Sequence, residues 1–434
     1  MSTSNNIKPH KIAIETITPV AIGNNETLSP YTDFVFDGQD DLIHVVDKAK
    51  IANRIFEIDE KNGGTSNLMD EYVAKLRDAF DNNRSTFDLK NFLEKHSQLE
   101  LSVADYKKKS IAHIGLSPKD RQEINCMVND NDHPFIPGSS TKGAIKTALL
   151  YDWLSNTSSG KYEFGRLMKE VQSTFERVRK EVEQLERMSR KRRLSGYERK
   201  SIKDLKRQIQ GNGRNDGKAK QLNKTFSRTF DQFMMRPHRA LPMEFSRFKV
   251  SDTALFQTSD SIFQLTHRLH YNKGTVTIPA VLEAIAPAAS STFQVSILPE
   301  MLHNDLQFLN GEHPMENLFK KINDFHMFNI DMELEMLKHG AWSKYIGNKE
   351  RQAFDNYQQF LEQQYNKIKN ALPNEAYFCV GFGKSFFYNS IGLLVFDWKD
   401  DRPDDQYSLF DKYCKLFKLG RDGQYEFPLT RTVT

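Results

Sequence analysis

"FIPGSSTKGAIKTALL", Phe135 to Leu150, decides how this chain is read. It opens like a strand, turns at Pro137-Gly138, and continues with two serines and two lysines on helical text. Gly138 and Gly143 have the G-x-x-x-x-G spacing of a nucleotide-binding loop, but Ala144-Ile145 stands where Lys-Ser/Thr is required. Nothing there pairs a terminal phosphate or holds magnesium, which argues against an NTPase. An anion site remains. Ser139 or Ser140 can cap a helix whose free N–H groups attract phosphate. Ile145, Ala148, Leu149 and Trp153 follow helical spacing toward a core. Lys142 and Lys146, four apart, share another face and can track a sugar-phosphate chain, while Gly143 and Ala144 leave room for that chain to come close.

The 434 residues favour two or three domains, and 27% charged against 38% hydrophobic residues gives a globular protein with a wet surface. No run of eighteen apolar residues predicts a membrane span, and "MSTSNNIKPHKIAIE" lacks the apolar core of a secretory signal. Cys126, Cys379 and Cys414 lie far apart without a C-x-x-C pair. Neither a zinc site nor a disulfide framework is indicated, no cofactor is called for, and a reducing cytoplasm fits best. Net charge is only +4. Between Arg177 and Lys224, however, 17 Lys/Arg face 6 Asp/Glu, a local surplus that suggests a polyanion-facing element.

Along the chain, "KIAIETITPV" alternates as a strand from Lys11 to Val20, and "SPYTDFVFDG" reads as a second extended segment. "LIHVVDKAKIANRI" and the polar stretch from Asp70 to about Glu100 read as helices, as does the charged text from Tyr162 to Gln210. "GNGRNDGKAK" from Gly211 is a predicted mobile loop. Strand text resumes at "FSRFKVSDTALF" and "TVTIPAVLEAIAPAASSTFQVSIL". A helical block over Glu316 to Ala371 precedes a final strand, glycine loop and strand, "YFCVGFGKSFFYNSIGLLVF". Strands separated by helices predict an α+β protein of split β-α-β-β units rather than a doubly wound sheet.

The second motif, "GFGKSFFYNSIG" from Gly381 to Gly392, is not a dinucleotide fingerprint, because Phe386 replaces the third glycine. Gly381 and Gly383 let main-chain N–H groups approach phosphate, and Lys384 and Ser385 add a charge and a hydroxyl. Phe382, Phe386, Phe387 and Tyr388 offer rings for base stacking, although alternate ones face the core.

"ETITPVAIGNNETLSPYTDFVFD", "FIPGSSTKGAIKTALL", "FKVSD", "GFGKSFFYNSIG" and "FPLTR" occur in an order that resembles the RAMP proteins of CRISPR systems. The "SPY" segment, the helical insertions and the near-terminal "FPLTR" look most like subunit five of the type III-A Csm complex. The resemblance implies two RRM-like (ferredoxin-like) RAMP domains. Residues 1–275 would form the first, with helical insertions at about 40–125 and 157–240. Residues 276–434 would form the second, with a helical block and the C-terminal glycine-rich loop. It also implies a subunit that caps the 3′ end of the crRNA beside the backbone RAMP subunits, meets target RNA in the assembled complex, and has no catalytic role. Its partners would be crRNA and the other Csm subunits.

Carried onto this chain, the resemblance has Ser139, Ser140, Lys142 and Lys146 gripping the guide backbone, and the loop from Gly381 to Phe386 as a second contact. Gly23 and Asn24, ending the first strand, would lie close to both. The insertion with Arg236, His238 and Arg239 is a candidate thumb, a placement no family motif supports. Asp33 falls where the backbone subunits carry a target-cleaving aspartate, but Ser-Pro precedes it here, and one carboxylate is weak ground for a metal-bound water. Two other readings stand beside this one. An endoribonuclease would want an acid-base histidine, for which His10, His133 and His238 are candidates by type alone. A structural adaptor would recruit a crRNA-trimming nuclease through the basic insertion.

Overall fold

The computed structural model describes residues 9–37, 41–63, 67–81, 87–117, 122–189, 195–210, 248–270, 275–278, 280–297, 309, 311–339, 347–384, 388–389, 391–399 and 430–433. The chain begins with β1 (His10–Glu15), β2 (Gly23–Leu28), β3 (Phe34–Asp37) and β4 (Leu42–Val46). Helices α1 (Lys48–Lys61), α2 (Leu68–Asp81), α3 (Leu89–Lys95) and α4 (Val103–Tyr106) lead into β5 (Lys107–Ile114). After β6 (Ile124–Met127), β7 (Asn129–Asp130) and β8 (His133–Pro134) come α5 (Gly138–Asn156), α6 (Ser158–Ser189) and α7 (Gly196–Gln210). The strands β9 (Phe248–Val250), β10 (Ser261–Leu265), β11 (His267–His270), β12 (Thr275–Thr277), β13 (Val281–Ile285) and β14 (Ser290–Ile297) follow. Last come α8 (Pro314–His339), α9 (Asn348–Lys369), α10 (Gly392–Asp397) and β15 (Thr430–Val433).

Two sheets organise the α+β fold. The smaller is antiparallel, in the order β1-β14-β9. Its alternation is strict: Ile12, Ile14, Phe248, Phe293 and Val295 face a core shared with α5, α6, α8 and α9. Lys11, Gln294 and Lys249 lie on the opposite, exposed face. The larger sheet runs β2-β6-β13-β10-β5-β4-β3, with parallel pairs at β10·β5 and β13·β6. Thr16 joins the two, its hydroxyl bonded to the Ala286 and Ala289 carbonyls while Val20 bridges to Ile285. Strands from both sides of the expected 275/276 boundary pair in these sheets, β1 with β14 and β6 with β13, and β12 spans the boundary itself.

The early helical insertion packs as its own cluster. Ile51, Ile55, Leu68, Tyr72, Phe92 and Leu99 close over Val35 and Val46 at the sheet edge. Asp47 starts α1, its carboxylate accepting from the Ala49 and Lys50 amides at 3.0 and 3.3 Å.

The structure corrects four expectations. "LIHVV" is strand β4, not helix: Ile43 and Val45 face one buried layer and Val46 the other. A buried β-branched run pairs readily between two strands. The first strand ends at Glu15, where Thr16 turns inward, rather than running to Val20. Residues 31–33 form a turn ahead of β3, closed by the Ser29 hydroxyl on the Tyr31 amide. Toward the C-terminus, residues 376–380 pair in no strand, and Gly392–Asp397 is helical, because Leu393 and Val395 drive into the main core. The glycine-rich stretch from Gly211 lies outside the described residues. No helix among the described residues is long and apolar enough to cross a membrane.

Candidate nucleic-acid interface

One small apolar knot gathers the motifs. Ile136, just before α5, packs with Val20 and Ile22 from the chain after β1 and with Val380, which precedes the glycine-rich loop. Three segments more than a hundred residues apart thus meet within one cluster, and each carries predicted contact residues outward from it.

The start of α5 is fixed by a strap from residues 252–256. The Ile136 amide donates to the Thr253 hydroxyl at 2.9 Å, and the Thr253 amide donates back to the Ile136 carbonyl at 3.0 Å. The first helical amide, Gly138, donates to the Asp252 carboxylate at 2.6 Å. A methyl at Gly138 would overlap the Val250 carbonyl oxygen, so only glycine lets the helix start this close to β9. The serine cap does not form. Pro137 is the cap residue, without a side-chain bond, and Ser139 and Ser140 sit inside the first turn. Asp252 reaches the helix start from another segment, so the serines are left facing outward.

Lys142 and Lys146 lie on the polar face of α5, each half-buried, while Ile145, Ala148, Leu149 and Trp153 enter the core. Lys249 on β9 joins them. Burial, and then repulsion from Lys249 and Lys146, hold Lys142 below the ordinary lysine range. No acid among the described residues offsets this at Lys142. A cluster of like charges that lowers its own member's basicity is stabilised by an anion. Gly143, between the two helix lysines, opens onto free space. Lys249 stands within "FKVSD", but no local signal gives it a role; the close contact of Gly138 with Val250 and Ser251 brings its strand to the start of α5.

The glycine-rich loop is anchored on the chain that follows β1. Gly381 has φ +77° and lies so close to Ala21 that a methyl would overlap its carbonyl oxygen. The next amide, Phe382, donates to that same oxygen at 2.7 Å. Gly23 and Asn24, two and three residues beyond Ala21, are therefore neighbours of the loop, as expected. Asn24 shapes its own turn, accepting from the Glu26 amide at 2.9 Å. Gly383 also has positive φ, and the Phe382 ring is 47% exposed, free to stack on a base. Lys384 is half-buried; burial lowers its basicity and Cys379 opposes this.

The far end of the loop is held by α8. Tyr388 is buried, stacks on His326 at 5.4 Å, and donates to Glu333 at 3.3 Å; Tyr357 donates to the same carboxylate at 2.8 Å. Burial, with Lys384 nearby, pushes His326 down to about 3. Of the aromatics offered for stacking, Tyr388 is thus a core residue. Ser385, Phe386, Phe387, Arg236, His238 and Arg239 lie outside the described residues.

Asp33 sits in a different setting. Its carboxylate accepts from the Ser29 amide and the Thr32 hydroxyl, both at 2.8 Å, and pairs with Lys48 at 2.7 Å. Burial raises its pKa, but Lys48, Ser29 and Thr32 together outweigh that and lower it. The carboxylate closes the turn before β3 and ties it to α1. His133 is bound through Nδ1 to the Phe256 carbonyl at 3.0 Å, as part of the strap.

No family model matches the chain. It is 23% identical over 436 aligned residues to the "CRISPR system Cms protein Csm5" of Methanocaldococcus jannaschii, covering 98% of this chain and 84% of that one. A Csm5 of Streptococcus thermophilus is 31% identical over 180 residues, 38% of this chain and 45% of that protein. Among solved structures, a chain of the Csm–crRNA–target RNA ternary complex of a type III-A CRISPR-Cas system superposes with a TM-score of 0.54 at 18% identity. That match covers 97% of this chain and 96% of the other. The crystal structure of T. onnurineus Csm5 gives 0.53 at 19% identity, over 88% and 93%. Over nearly its whole length the chain is thus similar to RAMP proteins of type III-A CRISPR systems. Within that class the relatives and solved structures it resembles are Csm5 proteins.

Proposed function

We propose that this protein is the non-catalytic capping subunit of its Csm complex, holding the 3′ part of the crRNA beside the backbone RAMP subunits. The carrying observation is the gathering of Lys146 and Lys249 close enough to Lys142 to repel it, at the start of α5, with no acid among the described residues to offset the charge at Lys142. Backbone contacts of this kind ignore base identity, which suits a guide of any spacer sequence. The loop at Gly381–Lys384 adds main-chain donors and the exposed Phe382 ring. Strands and helices in the order β1-α5-β9-β14-α8, two helices on one face, support an RRM-like unit, drawn from both sides of residue 275, whose exposed face carries Lys11, Gln294 and Lys249.

The solved relative in complex with crRNA and target RNA supports both as partners here, along with the other Csm subunits. A structural role for Asp33 follows from its three bonds. Incubating the purified chain with end-labelled crRNA, with and without magnesium, tests the reading. Binding without cleavage in both is expected. Magnesium-dependent cleavage abolished by Asp33→Ala would make the protein a nuclease and overturn it.

A further inference from the structure

Helix α6 spans Ser158–Ser189, 32 residues, or about 48 Å at 1.5 Å per residue. Its first turns are locked to α5, because Phe164, Leu167 and Met168 pack with Leu150, Trp153 and Leu154. A single residue, Thr157, joins the two helices. Whatever α6 presents is therefore held at a fixed position relative to the lysines at the start of α5.

What it presents is sorted by charge. Arg166, Lys169, Arg177, Lys180 and Arg187 are all exposed. Their spacings of 3, 8, 3 and 7 residues are filled by Ser173 and Gln184 into an unbroken run of three- and four-residue steps. At 3.6 residues per turn these seven positions fall within about a quarter of the circumference, a stripe about 30 Å long. No acid occurs at any of them. The acids flank the stripe: Glu163 holds Arg166 at 2.9 Å, and Glu183 lies 3.9 Å from Arg187.

The middle of the stripe has no such partner. Lys169, Arg177 and Lys180 pair with no acid among the described residues. The omission is pointed at Lys180, since Glu176 stands four residues before it, the favoured orientation for a helical ion pair. Instead Glu176 accepts from the buried Gln172 amide at 2.9 Å. This face keeps its cations in line, and among the described residues its three central ones have no acid partner. Helix α7, packed on α6, adds exposed Arg199, Lys200 and Lys203.

We propose that the α6 stripe is a second RNA-backbone track, which carries single-stranded RNA onward from the lysine cluster of α5. This rests on the reading of that cluster as the primary RNA contact. The ligand chemistry is a flexible phosphodiester chain, bound without regard to sequence.

The test compares Arg177→Gln/Lys180→Gln/Arg187→Gln with the unaltered chain on two unstructured RNAs of roughly 8 and 40 nucleotides. All three side chains are exposed and glutamine is a good helix former, so the fold is kept. Affinity for the long RNA should fall about tenfold in low salt. The slope of log affinity against log salt should fall by about 2, from three single-strand phosphate contacts at about 0.7 each. Affinity for the short RNA should stay unchanged. A control, Lys61→Gln/Lys75→Gln/Arg77→Gln on α1 and α2, removes the same charge from exposed positions and should leave the slope alone. Equal losses in the control and stripe variants would reduce the effect to net charge and overturn the track. An unchanged slope would also overturn it, and if the stripe variant then failed to assemble with other Csm subunits, the stripe would belong to a protein partner. Lys142→Ala/Lys146→Ala/Lys249→Ala serves as the separate check on the primary site, since it should weaken both RNAs.

Discussion

Gly143 offers a perturbation in which stability and function should part company. It lies in the interior of α5, where glycine costs about 0.5–1 kcal/mol relative to alanine. No fold constraint demands it, because a Cβ built there meets nothing within 4 Å. Gly143→Ala should therefore stabilise the protein by about 0.5–1 kcal/mol, read as a raised denaturant midpoint at unchanged m-value. If the open space is where a sugar-phosphate backbone comes close to Lys142 and Lys146, the same methyl should weaken RNA binding roughly three- to tenfold, about 0.7–1.4 kcal/mol. Gly143→Leu should weaken it further while folding normally. Fluorescence anisotropy with labelled crRNA reads the second half. Both variants gaining stability while binding RNA like the parent would refute the close approach, and with it the role of α5 as the contact surface.

Other outcomes follow from the same geometry. Gly381→Ala should cost about 2–3 kcal/mol, from a left-handed alanine and the lost Phe382–Ala21 hydrogen bond, and should lower RNA affinity; equal affinity would remove the loop from the interface. Asp33→Asn should cost about 1–3 kcal/mol at pH 7. The folded pKa of Asp33 lies below the ordinary 3.8, so its contribution is present above that value and lost as pH falls through the folded pKa. Wild type and variant should thus converge in stability under acid titration below pH 3.8, and a constant gap would mean the carboxylate charge is not what holds the turn.

The opening motif was legible because its signals are local. The spacing of Ile145, Ala148, Leu149 and Trp153 predicted the buried stripe of α5, and all four are at most 3% exposed. The same spacing put Lys142 and Lys146 together on the other side. The helix start was not legible, since its capping carboxylate arrives from Asp252, 114 residues later, and no local pattern announces it. Lys249 escaped for the same reason. Strand β4 was hidden by its neighbour: five residues of strand run directly into Asp47 and a helical period, and a short apolar run carries no period of its own. The helix at Gly392 was misread because β-branched and leucine-rich text suits either state, and contact with the α8–α9 core decides between them.

The central claim is that three lysines from two distant segments hold the crRNA backbone, and the salt dependence of binding tests it most directly. Equilibrium affinity for crRNA, measured from low to physiological salt, gives a slope that counts neutralised phosphates. For Lys142→Ala/Lys146→Ala/Lys249→Ala the account predicts a folded protein whose slope is smaller by about 2 and whose affinity is lower at every salt, most of all at the lowest. A triple variant with the parent's slope and affinity would contradict it.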